Sequence, residues 1–329
     1  MTLSANSLVV LALCSHLGLS SEPDPAPLKP KEWSQLGNQL KSVSIQFADL
    51  LEYSATQLNS LLQIPENDSL RIWRLLQRTA SIGIEIERLA SLGISAITQC
   101  DPDYPARYLQ KLNDSAPPLL FYSGEKALLG QPGIAVVGSR DLDPIGEQCA
   151  ELVGNYCGVS GLVLYSGGAR GVDSISMKAA LNGRGNAVGI LADSLEKTIR
   201  IPVYRKAIQR NDICLVTPHT PDAPFSVGTA MGRNKLIYTL ADYAIVVASD
   251  AHKGGTWAGA TEAIKNQWLP VFVLKYPTMP EGSQLLIKEY GAIPLPYPLP
   301  FQPSNMAEWL QTHSGQNPSQ NESIQLSLF

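Results

Sequence analysis

After Pro118 the chain breaks into short apolar runs rich in β-branched residues, each followed by an amphipathic stretch. No other feature constrains the fold as tightly. The runs at 134–137, 162–165, 187–191, 213–216, 243–248 and 271–274 are too continuously apolar for strands that show one face to water. They predict strands covered on both faces, hence a parallel sheet with crossover helices, expected near 146–156, 172–181, 204–209, 235–240 and 258–266. The expected class is α/β, a Rossmann-like, mostly parallel, doubly wound sheet.

Upstream the period is helical. Leu36, Leu40, Val43, Phe47, Leu50 and Leu51 recur at three to four residue spacing, as do Leu70, Trp73, Leu75 and Leu76, then Ile82, Ile86 and Leu89. Pro- and Ser-containing breaks at 20–30 and 64–69 separate these segments. A small helical domain is expected over 1–110, the Rossmann-like domain over 111–280, a proline-rich extension over 281–310 and a flexible polar tail over 311–329.

The formal net charge of −4 argues against a protein that coats nucleic acid indiscriminately. Residues 111–280 carry 16 Lys and Arg against 14 Asp and Glu and are the net-positive segment; 1–110 carry 8 against 11 and 281–329 carry 1 against 4. Five scattered cysteines without a C-x-x-C predict reduced thiols rather than a disulfide framework or zinc site, which points to the cytoplasm. The apolar run 8–13 has no basic lead-in, and Ser15 and His16 interrupt it short of a membrane span, so no membrane association is expected. His219 and His252 stand without partners at ligand spacing, and neither metal nor cofactor is expected.

Ligands of doubly wound sheets gather beyond the strand carboxyl ends. Three loops there are rich in glycine and basic residues: GSRD (138–141), SGGARGVD (166–173) and SDAHKGGTWAG (249–259). A fourth element, MGRNKLIYTLAD (231–242), is expected to open a helix with Arg233, Asn234 and Lys235 at its N-terminal end. Glycine lets main-chain N–H groups approach a phosphate, and arginine adds a bidentate fork. Taken singly, each loop fits a tight turn or a helix cap equally well. Trp257 and Tyr165, beside these loops, are candidates either for stacking bases or for packing. No P-loop pattern is present.

The order DPDYP (101–105), PPLLFYSG (117–124), GIAVVGSR (133–140), SGGARGVD, RNK (233–235) and KGGTWAGATEA (253–263) resembles the DNA-processing protein A family, DprA/Smf. The resemblance implies a single-stranded-DNA-binding recombination mediator that pairs as a homodimer through its Rossmann-like domain and loads the RecA recombinase during natural transformation. Carried over residue by residue, it implies DNA contacts at Gly138, Ser139, Arg140, Ser166, Gly167, Gly168, Arg170, Arg233, Asn234, Lys235, Lys253, Gly254 and Gly255. The chain departs from the family at Gly168, Lys235 and Gly254, and lacks the usual Phe-Pro lead-in to RNK.

An enzymatic alternative comes from the same fold superfamily, the phosphoribohydrolases that resemble lysine decarboxylase-like LOG proteins. There the glutamate of P-G-G-x-G-T-x-x-E acts at a nucleotide ribose. Here Glu262 follows Thr256 by six residues and the proline is missing, so no catalytic residue is expected. The last five residues, Gln325, Leu326, Ser327, Leu328 and Phe329, resemble the pentapeptide by which polymerases and repair proteins hold the DNA sliding clamp. A polar tether ending in an apolar Leu-Phe pair suits such a docking peptide.

Overall fold

The computed structural model describes residues 3–19 and 25–315; these fall into two compact units, the described residues up to 123 together with 217–223, and 124–216 together with 224–315.

In the first unit the apolar run at the start of the chain forms α1 (Ala5–Cys14), whose Val9 to Leu13 are fully buried. Around it stand α2 (Pro30–Ser42), α3 (Ala55–Leu62), α4 (Glu66–Leu76) and α5 (Thr79–Ser91). The periodicity predicts α2, α4 and α5, but the first run ends as a helix at Ser42 rather than continuing to Leu51, and α3 carries none of the predicted periodic runs. Each core Leu, Ile or Val contributes about 1.5–3 kcal/mol by leaving water. Arg78, only 8% exposed, ties these helices together, donating to the carbonyls of Leu75 (3.2 Å), Leu17 (3.0 Å), Ser15 (3.3 Å) and Ala12. A short antiparallel pair follows, β1 (Ser95–Thr98) with β2 (Leu119–Gly124), joined through α6 (Ala106–Leu112). DPDYP is a structural knot here. Asp101 accepts from Ser7 Oγ (2.8 Å) and Thr98 N (2.7 Å), and Tyr104 Oη donates to the Pro117 carbonyl (2.6 Å).

The second unit contains seven parallel strands: β3 (Gly133–Val137), β4 (Val163–Ser166), β5 (Ala187–Ile190), β6 (Ile213–Thr217), β7 (Tyr243–Val246), β8 (Val271–Lys275) and β9 (Ile293–Pro296). Their spatial order is β6-β5-β4-β3-β7-β8-β9. The chain winds outward from β3 to β6 on one side, then returns and winds from β7 to β9 on the other. The switch point therefore lies between β3 and β7. Right-handed crossovers put α7 (Pro144–Ser160), α8 (Val172–Asn182), α9 (Leu195–Thr198) and α10 (Pro202–Gln209) on one face. The other face carries α11 (Val227–Leu240), α12 (Gly254–Lys265) and α13 (Glu281–Lys288). The expected proline-rich extension contains α13, β9 and the start of α14 (Met306–His313).

Local signals explain the helix ends. Asp143 accepts from Gly146 N (2.6 Å) to cap α7, Pro144 occupies its first position, and Gly161 ends it at φ +79°. Two helix starts differ from expectation. α11 begins at Val227, not near 235, because Ser226 and Thr229 form a reciprocal cap ahead of two glycines that weaken the helical pattern. Arg233, Asn234 and Lys235 are consequently in the middle of the helix. α12 starts at Gly254, four residues earlier than its periodicity indicates, which puts Gly254 and Gly255 in its first turn. All five cysteines are free, and burial pushes the Cys157 thiol up to about 12.

Candidate functional site

Beyond the carboxyl ends of β3 and β7, at the switch point, lies a cleft of about 330 Å³. The loop after β3 forms one wall with Gly138, Ser139 and Arg140, and the loop after β7 with the start of α12 supplies Lys253, Gly254, Gly255 and Thr256. α11 closes it from above with Phe225, just before its cap, and Arg233, Asn234 and Tyr238. Eight of the thirteen residues expected to meet DNA line this cleft: Gly138, Ser139, Arg140, Arg233, Asn234, Lys253, Gly254 and Gly255. Ser166, Gly167, Gly168, Arg170 and Lys235 do not.

The SGGARGVD turn shows why. Several of its polar groups are taken up by the fold, although Ala169 and Asp173 still line the cleft: Gly167 N donates to Asp173 Oδ2 (3.1 Å), Val172 N to the Ser139 carbonyl (3.2 Å), and Ser166 Oγ to the Val136 carbonyl (2.7 Å). The turn's glycines serve packing. A Cβ at Gly167 would collide with the Arg233 guanidinium, and one at Gly171 (φ +87°) with the Ser139 carbonyl. Arg170 points outward, 74% exposed, and pairs with Asp141 at 2.6 Å. An ion pair this exposed contributes little to stability.

Main-chain donors face the cleft elsewhere. Lys253, at the N-cap of α12, supplies no side-chain cap, so the first-turn amides at Gly254, Gly255 and Thr256 stand at the positive end of a twelve-residue helix. Asn234 Nδ2 donates to the Gly255 carbonyl (2.9 Å), which fixes this turn against α11. Gly254 sits at φ +81° with open space where a Cβ would be. Such a turn can receive a phosphate oxygen.

Arg140 lies over the Phe225 ring, 5.1 Å from its centroid, and makes no ion pair among the described residues. Lys253 is 76% exposed and 3.9 Å from Asp250. Arg233 is different. Its side chain is 5% exposed, Nη1 lies 3.9 Å from Asp173 Oδ2, and Nε and Nη1 lack hydrogen-bond partners among the described residues. Burial pushes the Asp173 carboxyl above its ordinary range, against the pull of Arg233 and the Gly167 amide. The guanidinium keeps its proton. The cleft wall therefore holds a buried cation with unspent donors.

Phe225, 49% exposed, and Met231, 42% exposed, were not singled out from the sequence. An isolated aromatic in a Pro- and Ser-containing loop carries no periodic signal, and only the cap at Ser226 marks its place. The two aromatics that the sequence offered are packing residues. Tyr165 is buried and donates to the Leu128 (2.8 Å) and Gln131 (2.7 Å) carbonyls. Trp257, 8% exposed, sits edge-on to His252 and Tyr290. Glu262 is exposed on the third turn of α12 and does not line the cleft.

The family model for DNA recombination-mediator protein A matches residues 95–296. Protein Smf of Escherichia coli (strain K12) is 31% identical over 201 residues, 59% of this chain and 51% of its own length. DNA processing protein DprA of Streptococcus pneumoniae (strain ATCC BAA-255 / R6) is 31% identical over 146 residues, 42% of this chain and 49% of its own. The chain thus spans about half the length of these curated relatives. Among solved structures, DNA processing protein A from Streptococcus pneumoniae shares the fold, with a TM-score of 0.64 at 20% identity over 89% of this chain and 95% of that one. The protein of the same name from Helicobacter pylori gives 0.53 at 25% identity, over 67% and 96%. With more than half of its length matched by the family model, the chain belongs to the DNA recombination-mediator protein A family.

Proposed function

We propose that this protein is a single-stranded-DNA-binding recombination mediator that holds the strand in the switch-point cleft. One observation carries the reading: at a single place the fold brings together the Arg140 fork, the uncapped start of α12 and the half-exposed Phe225 ring. The first two suit a phosphate and the third suits a base, and single-strand binders combine the two contacts. Family membership supports it, as does the Helicobacter pylori relative, whose structure is described by its single-stranded DNA binding mode.

Arg140 and Lys253 would meet phosphate directly, while Arg233 acts from behind the wall by its charge. Arg170 and Lys235 would meet only a strand that runs past the cleft. Replacing Arg140 and Lys253 with Ala should weaken binding and flatten the slope of log affinity against log salt by about 0.7 per lost contact. An unchanged slope in the double variant overturns the site. Binding of mononucleotides as tight as that of oligomers would turn the reading toward a nucleotide sensor.

The same reading includes a homodimer, action in the cytoplasm and loading of RecA. Faster RecA assembly on strands coated with single-strand-binding protein checks the loading, and equal rates remove it. The reading is non-catalytic: release of free base from nucleoside monophosphates, abolished by Glu262→Gln, would reverse it. The clamp-binding peptide Gln325 to Phe329 lies outside the described residues and is supported by its sequence alone. Deleting it should abolish clamp affinity and leave single-strand binding intact.

A further inference from the structure

Away from the cleft, the layer formed by α8, α9 and α10 has an unusual charge balance for a chain with a net charge of −4. Lys178, Arg184, Lys197, Arg200, Arg205 and Lys206 are all exposed, and none of the six makes an ion pair within 4 Å among the described residues. A seventh cation, Arg210, pairs with Asp212 at 2.6 Å. Between residues 178 and 212 the acids are Asp193, Glu196 and Asp212. Solvated faces of helices normally balance the two signs, which relieves self-repulsion, so a face with seven cations to three acids needs a reason.

Topology makes these residues one surface. α8 and α10 are consecutive right-handed crossovers on the same side of the sheet, and Arg210 Nη2 donates to the Leu181 carbonyl at the end of α8 (3.4 Å). The surface also reaches the cleft. α9 starts just beyond the carboxyl end of β5, and Thr229 Oγ1, in the first turn of α11, donates to the Ala192 carbonyl in the loop between β5 and α9 (3.0 Å). Phe225 and Val227, at that end of α11, line the cleft. A polymer that leaves the cleft past Phe225 would come to the start of α9, where Lys197 and Arg200 follow the acids Asp193 and Glu196, and then to Arg205 and Lys206 on α10.

We propose that the α8–α10 face is a second phosphate track, over which a nucleic-acid strand held in the cleft continues. The proposal rests on the single-strand reading of the cleft. The partner's chemistry follows from the surface: mobile Lys and Arg heads with one exposed aliphatic side chain among them, Ile201, suit a regularly spaced polyanion. A lipid surface would need a broad apolar face beside the cations, which is absent here among the described residues.

The test uses the full chain and a variant in which Lys197, Arg200, Arg205 and Lys206 are all replaced by Glu. These side chains are exposed, and an unchanged thermal unfolding curve shows that the fold is kept. Affinity for labelled oligothymidylates of about 6 and about 30 nucleotides is measured over a salt series, the shorter being within the site size of a single cleft. For the unaltered protein the longer strand should bind more tightly and with a steeper salt slope. In the variant, short-strand affinity should stay within about twofold, and the long-strand slope should flatten by about 2 to 3, at 0.7 for each lost phosphate contact. An unchanged long-strand slope overturns the track. So does equal loss for both lengths, since the face would then belong to the cleft. If the unaltered protein fails to bind the short strand, the cleft reading falls, and the long-strand comparison still decides the track. A long-strand affinity unaltered in the variant, together with a new loss of affinity for an acidic peptide such as oligoglutamate, assigns the face to a protein partner and likewise overturns it.

Discussion

Each unit of the molecule buries one arginine, and the two are used in opposite ways. Arg78 spends its donors on four main-chain carbonyls where α1 and α4 end. Arg233 is as deeply buried but keeps Nε and Nη1 unspent, with a carboxylate at 3.9 Å and a cleft beside it. A buried charge whose donors are all satisfied reports architecture. One left under-satisfied has been kept for another purpose, because the fold bears its desolvation cost without full return.

The contrast can be broken most directly at Arg78. Arg78→Met should cost about 4 kcal/mol or more, since several buried carbonyls lose their donor at about 1–3 kcal/mol each. Urea unfolding measures it, and the loss should be flat between pH 5 and 8 because carbonyls do not titrate. Arg233→Met should behave differently with pH. The folded-state pKa of Asp173 is already raised, so the stability tied to its protonated form is full below the unfolded value of about 3.9 and is lost as pH rises through the folded value. Removing the cation raises it further. The cost should therefore grow with pH, by up to about 1.4 kcal/mol per unit. Adding Asp173→Asn should restore stability without restoring single-strand affinity, and restored affinity would make Arg233 merely structural.

A smaller effect separates the glycines. Gly171→Ala should cost about 2–3 kcal/mol, since it combines φ +87° with a collision at the Ser139 carbonyl. Gly254→Ala, at φ +81° in open space, should cost about 1 kcal/mol. Equal unfolding midpoints for the two would sink the packing account of the SGGARGVD turn. The smallest effect belongs to the first unit, where Glu32 pairs with Arg71 at 2.7 Å and is 38% exposed. Its hydrogen bond from Arg71 holds the carboxyl below its usual range. The stabilisation is present above about pH 4.3 and lost as pH falls through the lower folded value, and after discounting for solvent Glu32→Gln should cost less than about 1 kcal/mol near neutrality.

Much of the fold was legible. All six predicted strands are present within one or two residues at their ends, because strands covered on both faces announce themselves as unbroken apolar runs. β9 was not, since its prolines hide a strand that still pairs with β8. The start of α11 was hidden by Gly228 and Gly232, and with it the burial of Arg233. A basic residue beside glycines reads as a surface contact until the helix register is known.

What the sequence determined by itself was the sheet, its helical companion and the loops that would converge, because period and turn chemistry are local properties. Which of those loops keeps open amides was decided by tertiary structure alone. SGGARGVD and KGGT are alike in composition, yet Asp173 folds back on one turn and consumes a donor, while no side chain caps the other. Hydrogen-bond satisfaction is a property of what the chain is packed against, and that is not written in any short stretch of it.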